Sequence, residues 1–113
     1  MPRDTVDYEV ARSIGAKLPG VTGTAGSRGM ALKIRGQILA CQAIHKSAEP
    51  GSLMVRVGSD RRDGLLAENP DAFYLTKHYQ PYPVVLVRLP KISRTSLEAL
   101  LTDAWNFVQS EAK

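Results

Sequence analysis

Apolar residues recur at every fourth position near the start of the chain: Val6, Val10, Ile14 and Leu18, with Ala11 beside them. That spacing puts one apolar stripe on a helix predicted from Asp4 to Leu18. Asp4 or Thr5 offers an N-cap acceptor, and Asp7 and Glu9 sit near the positive end of the dipole. Pro19 disfavours helical backbone at Leu18, and Gly20 follows, so the helix stops there. The period then changes to two. Met30, Leu32 and Ile34 point one way, and Ala31, Lys33 and Arg35 the other. Gly36-Gln37 is a candidate two-residue turn of type II′, and Ile38 to Ile44 returns as a second, more buried strand. Leu53, Val55 and Val57 alternate with outward Met54 and Arg56. Ser59 or Asp60 caps a short helix, Arg61 to Glu68, which Asn69-Pro70 ends.

The last third follows the same logic. Ala72 to Thr76 reads as a short strand. Lys77-His-Tyr-Gln-Pro-Tyr-Pro83 reads as an ordered loop, rich in polar aromatics and proline. Val84 to Leu89 is the most apolar run, a short β-branched strand that Pro90 closes. Ser93, or Thr95 with Glu98 three residues on, opens the terminal helix. Leu97, Leu100, Leu101, Ala104, Trp105 and Val108 form its stripe, with Trp105 as a core anchor. Short turns make the strands antiparallel, so the helices cover one face. The predicted fold is α+β, an open-faced sandwich. An antiparallel sheet of about five strands is covered on one face by helices near residues 4–18 and 94–111, in one domain spanning 1–113.

Composition changes this picture little. A chain of 113 residues, 43% of them apolar, suits one domain with one core. No apolar run approaches the roughly 18 residues of a membrane span. The first seven residues lack an apolar leader segment, and Cys41 is the sole cysteine, so the cytoplasm is the expected compartment. The formal charge of +4 is unevenly distributed. Between Ala11 and Gly58 stand Arg12, Lys17, Arg28, Lys33, Arg35, Lys46 and Arg56 against one acid, Glu49. Such a bias suggests a surface that meets phosphate, or a merely solvated basic face.

Candidate chemistry is sparse. Gly20, Gly23, Gly26 and Gly29 recur at every third position. A phosphate loop with Ser27 and Arg28 is one reading, but the stretch lacks a Gly-Lys-Ser/Thr ending and follows a helix, so a flexible edge strand or a turn entering the sheet is the simpler one. Cys41 and His45 share a strand face but stand roughly 13 Å apart, too far for a shared ion. No metal site or cofactor is expected. His78 near Thr76 or Tyr79 is the one loose catalytic arrangement, without an evident oxyanion hole, so no enzyme activity is expected. Lys33, Arg35, Arg56 and Arg88 all fall on the polar side of their strands. Lys77, His78, Tyr79 and Tyr82 border them. Cations meet phosphates and aromatic rings stack on bases, so these eight residues form a candidate nucleic-acid surface.

Several segments, in order, resemble the MmcQ/YjbR family: Leu18-Pro-Gly-Val-Thr, Arg35-Gly-Gln-Ile-Leu-Ala, Asn69-Pro-Asp-Ala-Phe-Tyr-Leu-Thr-Lys-His-Tyr, Tyr82-Pro-Val-Val-Leu-Val-Arg-Leu and Leu97-Glu-Ala-Leu-Leu-Thr-Asp-Ala-Trp. The resemblance implies a small bacterial protein with a CyaY-like fold. DNA binding through a "double wing" arrangement is ascribed to that family, without an established enzyme activity. The chain departs from the pattern at Gly29-Met-Ala-Leu32, which lacks the usual proline and aromatic, and at Gln37, where a lysine is frequent. CyaY-like proteins bind iron through acidic ridges; here Asp4, Asp7 and Glu9 stand on the first helix without a longer acidic run and the net charge is positive, so iron binding is not carried over. The expected function is therefore DNA or other nucleic-acid binding through a basic open sheet face; the alternative is a protein-interaction adaptor using the same face.

Overall fold

A computed structural model describes residues 6–26 and 29–111. The cap expected at Asp4 or Thr5 and the loop helpers Ser27 and Arg28 lie outside them. The chain runs α1 (Tyr8–Gly15), β1 (Val21–Gly26), β2 (Gly29–Ile34), β3 (Gln37–Gln42), β4 (Ser52–Arg56), α2 (Ser59–Glu68), β5 (Phe73–Tyr74) and β6 (Val84–Arg88). A 3₁₀ turn (Leu89–Lys91) then leads into α3 (Arg94–Glu111). The strands form one sheet in the order β1-β2-β3-β4-β6-β5, and every neighbouring pair is antiparallel. This is the predicted open-faced α+β architecture. Its sixth strand is β1, the edge strand that the glycine-rich stretch forms.

The helices sit on one face. Leu32, Leu39, Leu53, Val55, Val85 and Val87 from the sheet join Ala11, Ile14, Leu65, Leu97, Leu101 and Val108 from the helices in the main core. Close approach of α1 requires Gly15: a Cβ there would stand 2.3 Å from Leu32 Cδ1. The helix is shorter than its apolar stripe. Asp7 caps it, accepting from Val10 N at 2.9 Å, while Val6 before the cap and Ala11 at its fourth position are both buried in the core, the arrangement of a hydrophobic staple. On α2, Gly58 occupies the cap position and no side chain caps the helix, so neither Ser59 nor Asp60 acts as expected. Ser93 does begin α3, accepting from Ser96 N at 3.1 Å.

Two local features depart from strict alternation. The β2–β3 turn is Arg35-Gly36, not Gly36-Gln37: Ile34 pairs with Gln37, and both turn residues have positive φ (53° and 80°), a type I′ hairpin. Arg35 therefore projects from a hairpin tip, not from a strand face. Next, Leu32 pairs with Ala40 but Lys33 with Ile38, leaving Leu39 as the extra residue of a bulge. The bulge lets Leu39 and Ala40 both enter the main core. Trp105 is half-buried at the rim of the core, not anchored within it. Its Nε1 donates to Pro19 O at 2.9 Å, tying α3 to the segment after α1.

Candidate functional site

The outer face of the sheet, away from the helices, is not bare. A second apolar cluster forms on it from Tyr79, Val84 and Leu86, with Ala43, Ala48, Met54, Tyr74 and Leu75 packed alongside. The loops 43–51 and 75–83 therefore fold back over the β4–β6–β5 end. Tyr79 is 7% exposed and anchors this cluster, so it is a structural ring and not a free stacking platform. Its hydroxyl accepts from His45 N at 3.3 Å. Arg62 of α2 pins the same loop from the side, donating from Nη1 to Gln80 O (3.2 Å) and Tyr82 O (2.8 Å).

The chain's two histidines meet here. His45 and His78 stack with ring centroids 3.5 Å apart and planes 6° from parallel, and both meet Tyr79 edge-on. His45 Nδ1 accepts from Ser47 N at 3.1 Å and lies 2.8 Å from Ser47 Oγ, which is 2.8 Å from Thr76 Oγ1. Burial of the ring, then the neighbouring His78 and Lys46, hold His45 below the ordinary histidine pKa. Stacked parallel rings aim their nitrogens side by side, not at a common point. Among the described residues no group of three or more His, Cys, Asp or Glu could hold a metal ion. The pairing was not legible in the sequence, where 33 positions separate the two residues. Their being the only histidines was the sole hint.

Arg88 is likewise engaged. It grips Glu49 with two parallel bonds (Nε–Oε1 2.9 Å, Nη2–Oε2 2.8 Å) and donates from Nη1 to Pro70 O and Asp71 O. Its guanidinium lies 4.2 Å from the centroid of the Tyr74 ring. The bond to Arg88 holds the Glu49 carboxyl below the usual carboxylate range. A guanidinium with all these partners is a staple between the β3–β4 loop and the β5 edge, and is not available to phosphate. Tyr74 continues the network. Its hydroxyl accepts from Glu49 N at 2.8 Å and lies 2.5 Å from the buried Ser52 Oγ.

Lys33 and Arg56 both meet Ile38 at the uncovered end, with Arg35 at the adjoining hairpin tip. Lys33 of β2 is paired with Ile38 of β3, and Arg56 Nη1 donates to Ile38 O at 3.3 Å. Arg35 projects from the turn two residues beyond Lys33. Arg56 also lies 5.8 Å from the centroid of the Phe107 ring. Among the described residues, no carboxylate lies within ion-pair distance of these three cations or of Lys77. Two grooves open beside them. One, of about 640 Å³, has Ala31, Lys33, Cys41 and Ile44 in its wall. The other, of about 580 Å³, has Gly36, Arg56, His78 and Tyr82. Neither is lined by an acidic residue. Arg35 and Lys77 are exposed but outside both. Burial pushes the Cys41 thiol above its ordinary pKa, which leaves it a weak nucleophile.

Among the described residues, six antiparallel strands with three helices on one face define the class, an α+β open-faced sandwich. No family model matches the chain. The fold is similar to the crystal structure of the Deinococcus radiodurans protein DR2400, described as a DUF419 domain, with a TM-score of 0.75 over 96% of this chain and 83% of that one. At 19% identity the likeness is one of fold. A stretch of 41 residues is 46% identical to uncharacterized proteins of Mycobacterium tuberculosis and Mycobacterium bovis, covering 36% of this chain and 32% of each relative. The match thus spans about a third of those proteins' length. No helix among the described residues is long and apolar enough to cross a membrane.

Proposed function

We propose that the chain is an MmcQ/YjbR-like protein that binds nucleic acid through the uncovered end of its outer sheet face. The fold neighbour's DUF419 domain, the domain of that family, supports the first part. The second rests on one observation: Lys33 and Arg56 both meet Ile38 and line two neighbouring grooves without a carboxylate, while Arg35 stands exposed at the adjoining hairpin tip. Cations so placed attract phosphates, and displaced counterions make such binding fall with salt. The proposal names Lys33, Arg35, Arg56, His78 and Tyr82 as contacts and involves no enzymatic step. Arg88 and Tyr79 hold the surface in shape, and Lys77 contributes long-range charge.

Three phosphate contacts give a slope of log affinity against log salt of about −2 to −3. In a fluorescence-anisotropy titration at stepped salt, the Lys33→Glu/Arg35→Glu double variant should bind weakly and with a flatter slope. Wild-type protein that binds nothing at low salt, or a double variant that matches it, would sink the reading. A protein-interaction adaptor is the second reading, favoured by Ile44, which is 64% exposed on the first groove. Binding of that kind would be nearly indifferent to salt.

A further inference from the structure

Ile44 and Tyr82 are the two large apolar side chains left exposed among the described residues, at 64% and 54%. Each lines one of the two outer grooves. The grooves share Ile38, Met54 and Tyr79 in their walls, so they lie side by side, a trough in two parts across the face. Its walls are mostly apolar, with Lys33 in one part and Arg56 in the other. A DNA or RNA duplex presents phosphates and sugars outward and keeps its base faces stacked on one another, so it offers apolar walls nothing. Unpaired bases have free apolar faces.

Resting on the nucleic-acid reading above, we infer that the ligand of this face is single-stranded, with successive unpaired bases lying in the trough and one of them stacked on Tyr82. Their phosphates turn toward Lys33, Arg35 and Arg56. Each groove falls within the roughly 300–1,000 Å³ typical of small-ligand sites, room for a base and its sugar. The Tyr82 ring is exposed, yet its backbone is held from three sides. Tyr82 N donates to Tyr79 O at 3.0 Å, and Tyr82 O accepts from Val84 N and from Arg62 Nη1, both at 2.8 Å. Pro81 and Pro83 flank it. A platform fixed in advance loses little freedom when a base settles on it.

The test compares a labelled oligothymidylate with its blunt duplex, by anisotropy at low salt. Probed against both would be the wild type and the variants Tyr82→Ala, Tyr82→Phe and Arg35→Glu. The single strand should bind at least about tenfold more tightly than the duplex, the contribution of roughly one stacked base. Tyr82→Ala should remove about that tenfold from the single strand and cost the duplex much less, with the salt slope, which counts phosphate contacts, kept. Tyr82→Phe, which keeps the ring, should bind like the wild type, and Arg35→Glu should weaken both forms. Equal binding of the two forms, or a single strand that ignores loss of the ring, overturns the single-strand assignment while phosphate binding stands. Failure of both forms to bind overturns that reading too and leaves the trough to a protein partner.

Discussion

Arg88 and Arg35 look alike on a sequence and behave oppositely. Both are basic residues at the polar side of an alternating run. Arg88 faces Glu49 across a loop crossing that no local pattern encodes, and it is consumed by that carboxylate and two carbonyls. Arg35 was placed on a strand face by alternation, but a type I′ turn carries it to a hairpin tip, where it stays exposed. The charge of such residues is readable from the sequence; their availability depends on partners far along the chain. The histidines make the same point. His45 sits in a ring stack and, held down by burial, His78 and Lys46, titrates below the ordinary midpoint near 6.5. Between its folded midpoint and that value, the unfolded chain takes up a proton that the folded ring refuses. Stability from this group is therefore complete above about pH 6.5 and is lost as pH falls toward the folded midpoint. An NMR titration should find His45 below a free histidine and should find it raised in His78→Ala. A wild-type midpoint at or above the ordinary value would contradict the stack.

At the scale of elements, periodicity did most of the work. The stripe Leu97, Leu100, Leu101, Ala104 and Val108 is buried as a set on α3, and the alternation at Leu53, Val55 and Val57 holds through β4 and just beyond it. What escaped was geometry that breaks the period. The bulge at Leu39 turns two consecutive residues inward, and the hairpin turn lies one residue earlier than glycine in a type II′ turn would put it. Trp105 is the instructive case. Its position continues the stripe, but the helix presents it to the rim, where its indole nitrogen bonds Pro19 O. Trp105→Ala should thus cost about 1–2 kcal/mol, a half-buried ring and one hydrogen bond. Leu101→Ala, which empties a fully buried site, should cost about 2–5 kcal/mol. Denaturant midpoints of the two variants check this ordering. A tryptophan substitution as damaging as the leucine one would place Trp105 in the core after all.

For the whole molecule, the sheet divides labour between its faces. One carries the main core beneath three helices. The other is half covered by two loops that a small cluster, a histidine stack and the Arg88–Glu49 pair hold down. The fold class was legible because one-sided burial leaves alternation in every strand. The covered half of the outer face was not, because Tyr79 lies in a loop whose composition reads as polar, Leu75 reads as part of a strand that ends at Tyr74, and the path of both depends on contacts with β4 and β6. The candidate site shrank accordingly, from eight residues to the cluster at the open end with Tyr82 and His78 at its margin. The central claim is that this open end, and not the helical face, receives the ligand. The most direct measurement is amide chemical-shift mapping of labelled protein titrated with a short oligonucleotide at low salt. The account predicts perturbations concentrated at residues 33–38, 54–56 and 78–84, with α1 silent and α3 affected only near Phe107, which Arg56 overlies. Shifts centred on the helices, or none at all, would contradict it.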